Sequence, residues 1–292
     1  MLKKIINLFE KEKYLGWFLI FPSMLIIAGL IFYPVLYNFY LSFHEVIIGI
    51  EMSYVFVGLS NYIDLLTDSG FWHSVYLTLV FTFSTTLIST IIGFFAALLL
   101  NNKFKGRFLV RGIVLFPYAA PVISLVFAWR YIFHPVFGQF NYLLTSVLGV
   151  IPEPIAWLEM PRYALIAVIV FNSWRMFPFA FLMLIARLQA IPQDHYDAAK
   201  VDGATFWQRL RYIILPQMMF VIATIFLLRG IWNIYKFGEI WLLTRHLNVL
   251  SVYAYRTAFS QFNQGMAATI TTSMFLMLLG FIILYIKKVL KW

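Results

Sequence analysis

The spacing of its charges constrains this chain most. No Lys, Arg, Asp or Glu occurs between Tyr14 and Phe43. Stretches near 71–100 and 257–286 are equally free of them, and those near 112–133, 163–188 and 213–241 hold one, two and three. A helix needs about 20 apolar residues to cross the hydrocarbon of a bilayer. Inside lipid the backbone must satisfy its own hydrogen bonds, which leaves helices or closed barrels. Runs this long predict helices. The expected fold is an all-α integral membrane protein with six transmembrane helices, forming one domain over 1–292. The first run is too long for a signal-peptide core and is read as a retained span.

The bases orient the spans. Fifteen of the 22 Lys and Arg fall in residues 1–13, in 101–111, in the segment from Arg187 to Arg211, and at Lys287, Lys288 and Lys291. The alternate loops, 45–70 and 134–160, have neither Lys nor Arg. Basic loops stay inside, so both termini and the 189–212 loop are expected in the cytoplasm. The net charge of +10 belongs to this pattern, and nucleic acid is not an expected partner; membrane lipid is. At 62% hydrophobic and 12% charged, the chain has about half the charge of a soluble protein. It has no Cys, so thiolate metal sites and disulfides are excluded. The five His are scattered, and neither metal nor cofactor is expected.

Local patterns add detail. Thr85, Ser89, Gly93 and Ala97 recur every four residues in the second span, the spacing that lets two helix backbones approach in lipid. Pro117 and Pro121 lie inside the third span. The fourth is expected to be interrupted at Asn172-Ser173-Trp174-Arg175 and Pro178. Phe140 to Leu148 reads as a short interfacial helix.

One polar stretch between spans four and five has the grammar of ordered structure: Pro192-Gln193-Asp194-His195-Tyr196-Asp197-Ala198-Ala199-Lys200-Val201-Asp202-Gly203. Pro192 suits a first helical turn. Asp194 and Asp197 sit early, where the helix dipole favours carboxylates. Gly203 suits a left-handed helix end, and Pro216 suits the opening of the next span. The spacing predicts a helix–turn–helix presenting an alanine-surfaced knob, with Asp197 as an anchor for a basic group.

This stretch resembles the signature loop of ABC-importer permeases: Glu-Ala-Ala, three residues, Gly, nine residues, Ile-x-Leu-Pro. Asp197, Ala198, Ala199, Gly203, Ile213, Leu215 and Pro216 match it without a gap, with Asp in place of Glu. Arg187-Leu188-Gln189-Ala190-Ile191-Pro192 and Val252-Tyr253-Ala254-Tyr255-Arg256-Thr257-Ala258-Phe259 resemble the carbohydrate-uptake (maltose, glycerol-phosphate and multiple-sugar) permeases. One departure is Leu243 to Asn248, which lacks the usual Gly-Gly-Pro turn. The resemblance implies a coupling helix in loop 189–212 that docks on an ATPase. It also implies a second six-span permease, two ATPase subunits and an extracellular solute-binding protein as partners, in a prokaryotic plasma (inner) membrane.

The chain itself has no Gly-x-x-x-x-Gly-Lys-Ser/Thr, Gly-x-Ser-x-Gly or His-Glu-x-x-His, so it has no P-loop and is not expected to be an enzyme. Polar residues within spans usually face the protein interior or a water-filled path. Asn172, Trp174, Arg175, Arg229, Asn233 and Lys236 are therefore candidates for a substrate path. Arg229 lies about 20 Å along the fifth span from Pro216. The alternative for the same residues is structural: arginines on backbone carbonyls, and Lys236 paired with Glu239 at i, i+3. The expected function is the permease subunit of an ATP-driven sugar importer, coupled through 191–203. An ion-coupled secondary transporter of a small polar solute is the open alternative. It would show internal repeats and a membrane carboxylate; no clear repeat occurs, and Glu239 is the only acid in or near a span.

Overall fold

The computed structural model describes residues 12–48 and 52–290. Two compact units are distinguished, Met1–Asp68 with Ala254–Ser273, and Ser69–Tyr253 with Met274–Trp292. Five helices are long and apolar enough to cross a membrane, or six if one bent pair counts as a single span.

In the first unit, α1 (Glu12–Ile27) and α2 (Tyr33–Ser42) join through a π-turn at Ala28–Phe32. Pro22 and Pro34 both lie inside this span. Pro34 has no N–H and its ring crowds the carbonyl four residues back, which is where the π-turn absorbs the extra residue. A hairpin follows, β1 (His44–Ile48) antiparallel to β2 (Met52–Phe56), with His44 opposite Phe56. It is an exception to the all-α expectation, in a stretch whose alternation is too short to stand out. Then comes α3 (Ser60–Thr67). Polar side chains hold the unit together. Asn38 donates to the Thr272 hydroxyl at 3.1 Å, Thr269 to the Ser42 carbonyl at 3.0 Å, and Asn61 to the carbonyls of Ser42 and His44. Gly265 packs so closely on the His44 carbonyl that a Cβ would overlap it.

The second unit is built on α4 (Ser69–Asn101) and α8 (Pro161–Gln189). Every member of the small-residue stripe on α4 is buried. A Cβ on Gly93 would lie 2.7 Å from the Phe181 nitrogen and 2.9 Å from the Phe177 carbonyl oxygen. The stripe is therefore a helix-packing surface, as its spacing predicts. Buried hydroxyls on α4 turn back on their own helix: Thr85 donates to Phe81 O at 2.6 Å and Thr90 to Thr86 O at 2.7 Å. That satisfies them without water.

Several span boundaries differ from expectation. The third span is broken into α5 (Arg107–Ala119) and α6 (Val122–Ile132), bent by 91°. Pro121 forces Ala120 out of the helical region, to φ −70° and ψ 148°, as proline does to the residue before it. The fourth span is not interrupted: α8 passes unbroken through Asn172–Arg175 and Pro178. Asn172 bonds back to Val168 O at 3.0 Å, and packing on both sides holds the helix past the proline. Short α7 (Gln139–Tyr142), with a π-turn to Val147, stands where the interfacial helix is expected. Asn141 is its hub: it donates to Pro135 O and Ile155 O and accepts from Ile155 N and, at 2.7 Å, from Trp157 Nε1.

The polar loop holds α9 (Gln193–Val201) and α10 (Phe206–Arg209). The fifth span continues through a π-turn at Leu210–Ile214 into α11 (Leu215–Ile234) and stops seven residues earlier than the expected 241; α12 (Gly238–Leu243) is a separate turn of helix. The sixth span starts later than the expected 257, because α13 (Leu250–Phe259) ends before α14 (Gln264–Tyr285), with Phe262 at φ 57° between them.

Candidate functional site

The loop between α8 and α11 is fastened at both ends. Arg187, in the last turn of α8, donates from Nε to the Gln217 carbonyl at 3.1 Å and from Nη2 to the Gln217 side chain at 3.4 Å. Leu188, Ile191, Leu210, Ile214 and Met218 share one apolar cluster with Ala97 and Leu100 of α4, and Tyr196 packs against it. The loop thus sits on the ends of three spans.

Its turn is a complete Schellman motif. Gly203 is left-handed at φ 70°. Ala204 N donates to Ala199 O at 2.8 Å and Gly203 N to Lys200 O at 3.0 Å, which satisfies the orphan carbonyls of the helix end. Thr205 then opens α10 with a capping box: its hydroxyl accepts from Gln208 N, and Gln208 Oε1 accepts from Thr205 N at 2.7 Å. Two helices meet at a fixed angle with nearly every backbone group satisfied.

The predicted knob is half as wide as the sequence suggests. Ala198 is exposed, but Ala199 faces inward at 8% exposure. Successive helical positions point about 100° apart, and the inward side takes Ala199. Asp197 is exposed and locally engaged, accepting from Gln193 Nε2 at 3.3 Å and Lys200 Nζ at 3.2 Å. These two bonds, Gln193 first, hold its carboxyl below the usual carboxylate range. Pro216 stands in the first turn of α11 and is exposed; Ile213 and Leu215 are half-buried at its base. Val201 is 89% exposed at the end of α9, although sequence reasoning assigned it no role.

The polar residues of the spans form a second constellation. Arg175 Nη1 meets Glu239 Oε1 at 2.7 Å, and Lys236 Nζ meets Glu239 Oε2 at 3.2 Å and Asn172 Oδ1 at 3.1 Å. Asn233 donates to the hydroxyls of Thr85 and Thr86. Trp174 packs on Trp129, with ring centroids 5.2 Å apart. Asn172, Arg229 and Asn233 are closed off within this chain, at 1% exposure or less. Neither arginine takes the backbone carbonyls that the structural alternative assigned it: Arg175 takes the carboxylate, and the Arg229 guanidinium has no hydrogen-bond partner among the described residues. The i, i+3 pairing of Lys236 with Glu239 is present. Glu239, the joint of the network, was absent from the candidates. Its signal was that it is the only acid inside an expected span.

Residues 89–291 match the family described as the binding-protein-dependent transport system inner membrane component. The chain belongs to this family. It is a multi-pass transport component of the inner membrane, not an enzyme. Relatives include the inner membrane ABC transporter permease protein YcjO of Escherichia coli (strain K12), 39% identical over 93% of this chain and 92% of YcjO. The trehalose/maltose transport system permease protein MalF of Thermococcus litoralis is 36% identical over 96% of this chain and 97% of MalF. Among solved structures, a bacterial ABC transporter involved in import of the acidic polysaccharide alginate superposes with a TM-score of 0.76. It covers 94% of each chain at 21% identity. That likeness shows a shared fold.

Proposed function

We propose that this permease is one of the two membrane subunits of an ATP-driven ABC importer that takes up a sugar, an oligosaccharide or a related solute. Its relatives include a trehalose/maltose permease, which supports the substrate class. Its partners are a second six-span permease, two ATPase subunits and an extracellular solute-binding protein. The whole chain acts as one domain with six spans, the bent pair α5–α6 counting as one, and both termini lie in the cytoplasm.

One observation carries the mechanism: α9 and α10 are set by a Schellman turn and a capping box, and Tyr196 with the flanking Ile191 and Leu210 packs them on the cluster of α4, α8 and α11. A push on such an element is transmitted rather than dissipated. Coupling requires that the loop bind its ATPase differently in two states, since only differential binding shifts an equilibrium. In this reading Asp197, Ala198, Ala199 and Gly203 form the docking element, and Ile213, Leu215 and Pro216 connect it to the fifth span. Trp174, Arg175 and Lys236, the partly exposed members of the polar constellation, are those that meet the solute path. Asn172, Arg229 and Asn233 support them from within.

The test is ATP-coupled uptake by Gly203→Pro and Asp197→Lys variants. Proline fixes φ near −65°, whereas Gly203 sits at +70°, so the turn cannot form. Asp197→Lys reverses the charge on the exposed face of α9. Both variants are expected to reach the membrane in normal amounts and lose uptake. Unchanged uptake in either would remove the loop from the mechanism.

A further inference from the structure

Between α9, α10 and the last turn of α4 lies a pocket of about 280 Å³, near the small end of the range for ligand sites. Its polar lining consists of Asn101, Asn102, Gln193, Tyr196, Lys200 and Arg209, and no carboxylate lines it. Leu98 and Ile214 are among its apolar residues.

Gln193 and Lys200 donate to Asp197 and Asn102 to the Leu99 carbonyl, but two donors of the lining have no partner among the described residues. Tyr196 Oη and Arg209 Nε are both buried without a hydrogen bond, and Arg209 forms no ion pair among the described residues. Lys200 is held only by an exposed bond to Asp197 at 3.2 Å, a weak constraint on a flexible cation. Burial pushes the Tyr196 phenol up, against the pull of the Arg209 guanidinium, so its oxygen keeps a proton to donate. A pocket with two cations, three amides and a phenol, at the end of a membrane-crossing helix, suits an oxyanion with several acceptor oxygens. Basic pockets on the cytoplasmic side of membrane helices recognise anionic headgroups in this way.

We propose that this pocket binds a phosphate group, carried by an anionic phospholipid headgroup or free in solution, and that the bound group ties α9 to the end of α4. Its placement at the cytoplasmic surface, and any effect on coupling, rest on the importer reading above; binding itself does not. An occupied pocket stiffens the element that would receive the ATPase stroke, so the anion regulates that stroke rather than being transported.

The test uses the full chain in nanodiscs, without ATP or partners, so it stands apart from uptake. Amide hydrogen exchange of residues 193–209 is measured in phosphatidylcholine alone, in phosphatidylcholine with phosphatidylglycerol, and in phosphatidylcholine with inorganic phosphate. Slowed exchange with phosphatidylglycerol alone assigns the site to a headgroup, and slowed exchange with phosphate as well assigns it to the free anion. Arg209→Gln is expected to weaken binding about fivefold, the worth of one base near a membrane surface. Asn102→Asp, at an exposed position, places a repelling carboxylate at the rim and should weaken it further. Equal exchange in all three conditions overturns the proposal, as does binding that neither variant changes. An unaltered protein that binds the anion yet supports no ATP-driven sugar uptake with its partners would count against the importer reading and leave the site standing.

Discussion

Replacing Glu239 by Gln removes the one carboxylate between two buried bases. Glu239 is 2.7 Å from Arg175 and 3.2 Å from Lys236, and the three side chains are 15%, 16% and 10% exposed. At that burial the charges are poorly hydrated, and loss of one partner leaves the others uncompensated. Breaking such a pair costs about 3–5 kcal/mol. The lower end applies here, because about a sixth of the Arg175 side chain still reaches solvent. The exposed pair Asp197–Lys200, at the same 3.2 Å but with both side chains more than half exposed, gives the contrast. Its Asp197→Asn variant should melt with the unaltered protein. The assay is the melting temperature of purified protein in detergent. Glu239→Gln should melt several degrees lower, and adding Arg175→Met and Lys236→Met should restore most of the loss, since an apolar trio needs no counter-charge. Glu239→Gln melting at the original temperature would refute this account of the network. So would an equal loss in the Arg175→Met, Lys236→Met background.

Three further outcomes are expected. Gly93→Val should force α4 and α8 apart, because the atoms in the way are two backbone atoms and the Ala180 Cβ; overpacking of this kind costs about 1–3 kcal/mol and should appear as a lower melting temperature, whereas Gly112→Val, with nothing within 4 Å, should not. Asn141→Leu strands the Trp157 indole N–H and two backbone groups of Ile155, for a loss of about 1–3 kcal/mol, read by melting and by a shift in tryptophan fluorescence. Because the Asp197 carboxyl is held below its ordinary range, its contribution to α9 is present above that range and lost as pH falls through its depressed value. Amide exchange over residues 193–203 should therefore accelerate on acidification beyond its intrinsic pH dependence, and Asp197→Asn should abolish the difference.

The spans were legible because lipid leaves an apolar chain almost no alternative to helix, so length and charge spacing suffice. Their ends were not. Pro121 and Pro178 look alike in sequence, yet the first breaks a span by 91° and the second lies inside an unbroken helix. The difference is packing: Pro178 is buried inside α8, whereas the bend at Pro121 puts Ala120 and Val122 against a second apolar cluster. Gly203 was readable because a left-handed helix end favours one residue type. The inward turn of Ala199 was not, since the side of α9 that faces the protein is decided by contacts distant in sequence, such as Tyr196 against the apolar cluster. The pairing of Glu239 with Arg175 escaped because the two are 64 residues apart, and nothing local marks a pair of that separation.

The most direct measurement exploits the natural absence of cysteine. A single Val201→Cys substitution puts one thiol at an 89% exposed position on α9. Cross-linking from it in native membranes, followed by mass spectrometry of the adduct, identifies what the loop touches. The account predicts an adduct with a P-loop ATPase, and a thiol that impermeant reagents reach only from the cytoplasmic side. Labelling from outside the cell, with no ATPase captured, would contradict it.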